Sequence, residues 1–449
     1  MVAETPTRAK TPQGQYISWK EHLIDNEAIN GGVAVRGGDG IQMADFDTDG
    51  HNDFVTVHED SGHVRIAFGS ANPDQWERIT LAEGAEARAA EDVAVADLNA
   101  DGYPDLIVAC ELAHLLYLRN PGKDARVRRW ERVIPARFQG RGSFIRVFFA
   151  DLNKDGRLDV VTANKGEQNP VIKPGDKEGT EHPLKEISWI EPPSDPLRPT
   201  GWIEHVLGRT KVPVNAQPVD LDGDGDLDVL AGSRFEQRMW WYENLGGVRP
   251  AFRERRIEVE GGGRLTAFMA AFRDLNGDGR LDIVLCEKPN VLWIEQPADL
   301  SRPWRRHNIG GIAPDAPTGI QIADINGDGN MDVIAGAYSG YPRDRDGDDV
   351  TSESVAGRIA WFENPGDPAG AWIRHDIVRT KRGMHDGFVA YDLDKDGDID
   401  FLGTRGNSGN FDGVFWLEQV RTTASVRAFV PARKVESMHL PLPKAEWAK

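Results

Sequence analysis

The chain is 449 residues long, 39% hydrophobic and 28% charged, the composition of a folded globular protein and not of a disordered one. Its formal charge of −19 opposes a nucleic-acid partner, and no apolar run approaches the ~18 residues that a membrane helix requires. Cys110 and Cys286 are the only cysteines, which excludes a disulfide scaffold and a CxxC zinc site.

Residues 1–15 are polar, carry Pro6 and Pro12, and lack the apolar core of an intact signal peptide. They fit either a native start or a mature chain whose signal has been removed. Trp19-Lys-Glu-His22-Leu23-Ile24 follows, and then an acidic loop with Asp45, Asp47, Asp49 and Asp53 at positions 1, 3, 5 and 9 and Gly50 at position 6. Apolar runs flank it, Ile41–Ala44 before and Phe54–Val55 after. Runs this short and rich in β-branched residues read as strands.

The loop returns as Asp97, Asn99, Asp101 and Asp105, then as Asp151, Asn153, Asp155 and Asp159. Next come Asp220, Asp222, Asp224 and Asp228, followed by Asp274, Asn276, Asp278 and Asp282. The last two are Asp324, Asn326, Asp328 and Asp332, and Asp392, Asp394, Asp396 and Asp400. Spacings between copies are 52, 54, 69, 54, 50 and 68 residues. A third, aromatic strand recurs (Trp240–Glu243, Leu292–Glu295, Ile359–Glu363), as does a fourth with a Trp-x-x-His pattern (Trp202–His205, Trp304–His307, Trp372–His375).

Four strands in about 50 residues, repeated seven times, predict an all-β, seven-bladed β-propeller over residues 16–420, with four antiparallel strands per blade. The seventh repeat stops after Val414–Glu418 without its Trp-x-x-His strand, which stands instead at Trp19–His22. The N-terminal strand is therefore expected to pair into the last blade and close the ring. Residues 421–449, with Pro431, Pro441 and Pro443, form a tail expected to lie across the outside or to be partly disordered.

Acids at positions 1, 3, 5 and 9 with Gly at 6 fold a short loop around a hard cation. Four carboxylates in the first, fourth and seventh loops and three in each of the others make 24, which repel one another without counter-ions. Seven Ca²⁺ would bring the net charge from −19 to −5. Magnesium keeps its waters and suits an all-protein cage poorly. Extracellular loops of this kind fill at about 10⁻⁴ to 10⁻³ M calcium, which points to a secreted or periplasmic protein and a structural role for the ions.

These loops, with the preceding apolar strand and the segment Trp361-Phe-Glu-Asn364-Pro365-Gly366, resemble FG-GAP/VCBS repeat propellers, the group that contains the integrin α-subunit head. The resemblance implies the propeller fold and calcium in the loops. Its members include adhesion modules, polysaccharide lyases and sugar dehydratases.

In a four-stranded blade the acidic turns occupy one face, so the second-to-third-strand loops and the links between blades occupy the other. Two of these loops are long, Asn164–Lys185 and Tyr338–Gly357, and are expected to wall a cleft. Equivalent positions in blades 7, 1 and 2 place His385, Asp386, Asp39, His58, Glu59, Glu91, Glu111 and His114 on its edge. Lys165, Arg234 and Lys288 stand across the axis, with Arg405 on the rim. Imidazoles among carboxylates suit Zn²⁺ or another divalent metal, or a general base. The cations suit a carboxylate or an enolate. Tyr338 and Tyr341 offer flat faces to sugar rings. His22, His205, His307 and His375 recur with the frame and read as structural. The run Asp344–Asp349 resembles a fragment of another calcium loop.

The segments around Trp361 and Gly383-Met384-His385 are also similar to the propeller of aldos-2-ulose dehydratases. That resemblance implies a carbohydrate-active lyase or dehydratase. His385 or His58 would take a proton beside a carbonyl or carboxylate, and Lys165, Arg234 or Arg405 would hold the enolate. The competing reading is a non-catalytic module that binds glycans or protein through the same face.

Overall fold

Every repeat buries its second strand. Asp53–His58, Asp105–Cys110, Asp228–Ser233, Asp282–Glu287 and Asp400–Arg405 have no exposed position. Both faces of these strands are covered by neighbouring blades, which explains their continuous apolar runs where a half-exposed strand would alternate. The computed structural model describes residues 1–111, 114–166, 182–247, 249–340 and 349–444. It is an all-β, seven-bladed propeller whose blades are antiparallel four-stranded sheets, in sequence order in blades 1 to 6 and completed by the N-terminal strand in blade 7.

Blade 1 comprises Gly38–Ala44, Asp53–His58, His63–Phe68 and Glu77–Glu83. Blade 7 takes Phe388–Tyr391, Asp400–Arg405 and Gly413–Thr422 from the end of the chain and Tyr16–Asp25 from its beginning. The closure is antiparallel and in register, with Trp19 opposite Gln419 and His22 opposite Trp416. Phe429–Val430 adds a short parallel strand outside it.

Apolar clusters fill the blade interfaces among the described residues. The one between blades 7 and 1 joins Ile24, Leu402 and Trp416 to Ile41, Phe54 and Trp76. The closing joint is therefore packed like the joint between blades 1 and 2, where Val55 and Val57 meet Leu106 and Val108.

The recurring histidines hold the outer strands to the frame. His22 stacks on Trp416 at 4.2 Å, His205 on Trp189 and His307 on Trp293 at 4.1 Å, and His375 on Trp361 at 4.4 Å. Their Nε2 atoms meet Glu418, Glu191, Glu295 and Glu363 at 2.6 to 2.8 Å. Leader and tail pair with each other: Thr7 donates to the Val426 carbonyl at 2.8 Å, and Ala428 donates to that of Thr5 at 2.9 Å. The tail then reaches blade 6, where Leu440 donates to the Arg379 carbonyl at 2.8 Å.

Candidate functional site at the channel mouth

The acidic loops are shaped by their own hydrogen bonds. Asp45 accepts the amides of Asp49 at 3.1 Å and Gly50 at 2.9 Å, and the first aspartates of five other loops repeat the pattern, while in the fourth the Asp224 amide donates to Asp222. Gly50 has φ 88°, a left-handed turn that glycine adopts without strain. The ninth-position aspartates are buried brackets. Asp53 accepts Phe46 and Gly69 amides, both at 2.8 Å, tying the loop to the end of the third strand. Burial, more than any other cause, pushes their pKa values up, to about 7 for Asp53 and about 8 for Asp159 and Asp332.

Oxygens of Asp45, Asp47 and Asp53 lie within 4.8 Å of one another, as do those of Asp220, Asp222 and Asp228, and of Asp392, Asp394 and Asp400. The Oδ1 of Asp47 is buried without a hydrogen-bond partner. A buried oxygen without a partner among carboxylates fits a hard cation, which positions 1, 3, 5 and 9 would hold. Such an ion would offset part of the loop's negative charge and fix its turn.

On the opposite face the first strands line a central channel with a cavity of about 230 Å³. At its mouth, Asp39, Glu59 and Glu91 present carboxylate oxygens within 4.8 Å of one another. Burial, and then the Glu59 charge, raise Glu91 to about 8. Facing them, Lys165 is buried and paired with Glu111. Burial, with Arg234 next, lowers Lys165 to about 8. The Arg234 guanidinium lies 5.4 Å from the centre of the Phe268 ring, and the Lys288 ammonium 5.8 Å from that of Tyr338.

Three sequence-predicted residues stand elsewhere. His58 is fully buried, with Nε2 at 3.0 Å from Thr56 Oγ1, and burial, then Arg65, pushes its pKa down to about 3. His385 packs edge-on to Phe415 with Nδ1 at 3.2 Å from the Thr404 carbonyl, and burial, then Arg405, takes it to about 3. Arg405 is buried under the tail, 3.3 Å from Glu436. The two imidazoles and Arg405 thus belong to the packing behind the mouth. Repeat position gave their place in the ring but not their depth. His114 also turns away, its Nε2 at 2.8 Å from the Glu86 carbonyl. The carboxylate cluster at the mouth is an all-oxygen donor set, which suits a hard cation better than Zn²⁺. Tyr341 and Asp344 to Asp348 lie outside the described residues.

The channel wall was not read from the sequence. Gln42, Gln217 and Gln321 stand three places before their loops and line the cavity. Arg146 and Asp92 stand five places before theirs, with Arg146 Nε at 3.4 Å from Asp92 and Nη1 at 3.0 Å from Met269 Sδ. Polar residues recurring inside otherwise apolar strands were the available signal.

A family model described as an FG-GAP-like repeat matches residues 45–108, 220–285 and 274–335. The chain carries FG-GAP-like repeats. No curated protein matches this propeller in sequence. Among solved structures, YCF48 from Cyanidioschyzon merolae is 10% identical with a TM-score of 0.50, over 89% of this chain and 98% of that one. A lectin from Agrocybe aegerita that recognises non-reducing terminal N-acetylglucosamine is 15% identical with a TM-score of 0.48, over 78% and 83%. At 10% identity the likeness to YCF48 speaks to fold alone.

Proposed function

We propose that this FG-GAP-like propeller binds glycans at the channel mouth and is braced by calcium in the acidic loops on its other face. The observation that carries the reading is one cavity lined by Asp39, Glu91 and Phe268, with Glu59 beside the two carboxylates and Tyr338 beside Lys288. Carboxylates accept hydrogen bonds from sugar hydroxyls, and aromatic faces take the apolar face of a pyranose ring. The calcium affinity usual for such loops supports a location outside the cytoplasm.

The test is titration calorimetry against neutral and acidic oligosaccharides in millimolar calcium. At least one series should bind, and Glu59→Gln and Tyr338→Ala should each weaken it by about tenfold without lowering the melting temperature. A protein silent toward every saccharide would end this reading.

Elimination chemistry is the second reading, favoured by the two groups that titrate at about 8 on either side of the mouth. Glu91, once ionised, would take the proton beside a sugar carboxylate, and protonated Lys165 would face the developing enolate, whose collapse to the double bond breaks the β C–O bond and releases an alkoxide that takes a proton from water. The rate should then peak near pH 8, rising as Glu91 deprotonates and falling as Lys165 loses its charge. Absorbance of newly conjugated double bonds measures it, and activity surviving in Glu91→Gln would eliminate the mechanism.

A further inference from the structure

One level below the mouth, the first strands bring seven equivalent positions around the channel, five residues before each acidic loop. Three are Gly40, Gly319 and Gly387, where an added Cβ would strike neighbouring backbone or side chain at 3.0, 2.3 and 2.8 Å. Glycine lets the strands of blades 6, 7 and 1 approach one another, and at these three equivalent positions it places no side chain in the channel. From the other side, blade 3 sends Arg146 across to Met269 of blade 5. The strand pairing shifts register between Phe144 and Arg146, a bulge of the kind that re-aims a side chain.

Arg146 is short of acceptors. A guanidinium carries five N–H donors in a planar fork. Here its hydrogen bond is to a thioether sulfur, a weak acceptor, and Nε has no hydrogen-bond partner although Asp92 lies 3.4 Å away. Asp92 is itself partly committed, accepting the Val147 amide at 3.1 Å. Asp92 thus steadies the Nε edge, while the Nη edge faces a sulfur that a carboxylate would displace.

We infer that Arg146 is the group that reads an acidic ligand: the glycan enters carboxylate first, pairs with Arg146 on the channel floor, and leaves its hydroxyls to Asp39, Glu59 and Glu91 at the mouth. This deepens the glycan-binding reading and rests on it. The ligand class is a uronic-acid saccharide with a free carboxylate. Arg234 and Lys288 lie above, where they attract an anion as it enters.

The experiment compares oligogalacturonate with its methyl ester, which has the same ring and hydroxyls but no charge, by titration calorimetry on the full chain. The wild type should bind the free acid roughly tenfold or more tightly than the ester. Arg146→Gln should remove that preference, and Arg146→Lys, which keeps the charge and loses the fork, should restore only part of it. Equal binding of acid and ester by the wild type would overturn the role of Arg146 and leave glycan binding standing. So would a preference that survives in Arg146→Gln. If the protein binds neither these two nor any other saccharide, the glycan-binding reading falls and takes this role with it.

Discussion

A buried histidine with no acid beside it is a liability in acid. His58 and His385 are held at about 3 in the fold against about 6.5 in an open chain. Between those values only the unfolded chain binds the proton, so stability is whole above pH 6.5 and is lost as pH falls. Each site should contribute a loss of about 1.4 kcal/mol per pH unit in that window. Urea unfolding at pH 7 and pH 5 in saturating calcium checks this. His385→Asn should flatten the dependence by about that slope, and an unchanged slope in the variant would show that carboxylates alone set it. The error of reading these imidazoles as mouth residues is instructive at this scale. Sequence position locates a residue on a loop, whereas solvent access depends on what neighbouring blades and the tail place over it. Arg405 makes the point, because Glu436, which covers it, lies 31 residues further along the chain.

At the scale of the element, the blade is latched to its neighbour by an amide at the end of the third strand. The Asn244 side chain donates to the Leu152 carbonyl of the preceding blade's loop at 2.9 Å and to the Leu227 carbonyl at 3.1 Å. Asn120 reaches Phe46, Gln296 reaches Leu221, and Gln419 reaches Ile325 in the same way. Asn244→Ala leaves two buried carbonyls without these donors and should cost about 2 to 3 kcal/mol, read from chemical unfolding. Asn244 closes the aromatic third strand that runs through Trp240, but its partner lies 92 residues away and only the stacking of blades brings the two together. The loops themselves were legible, because seven copies of the same internal spacing, acids at 1, 3, 5 and 9 with Gly at 6, require one repeated turn. Their backbone is held in an uncommon conformation: Thr48, Ala100, Lys154 and Lys395, at position 4, all have positive φ without being glycine, and an ion bound in the loop would help to hold it. Calcium at ten times its dissociation constant would add about 1.4 kcal/mol per loop. Melting temperature should therefore climb through the millimolar calcium range, and matched sodium chloride should not reproduce the rise.

The whole molecule stands or falls on the velcro of blade 7, where strands from both ends of the chain share one sheet. Tyr16–Asp25 supplies Ile17 and Trp19 to the cluster between blades 6 and 7, and Ile24 to that between blades 7 and 1. Removing residues 1–25 strips both interfaces at once and exposes the edge of Gly413–Thr422 along its length. The tail acts on a smaller scale: it adds Phe429 to the first of these clusters and gives Arg405 its carboxylate from Glu436. Ending the chain at Thr422 leaves the ring closed while depriving a buried cation of its partner, a loss of about 3 kcal/mol or more. The two truncations should therefore differ in kind. The C-terminal one should still unfold in a single cooperative transition at lower denaturant, and the N-terminal one should lose that transition. Blades that stayed cooperative without residues 1–25 would mean that the ring does not need this strand to close, and that each blade interface carries its stability independently.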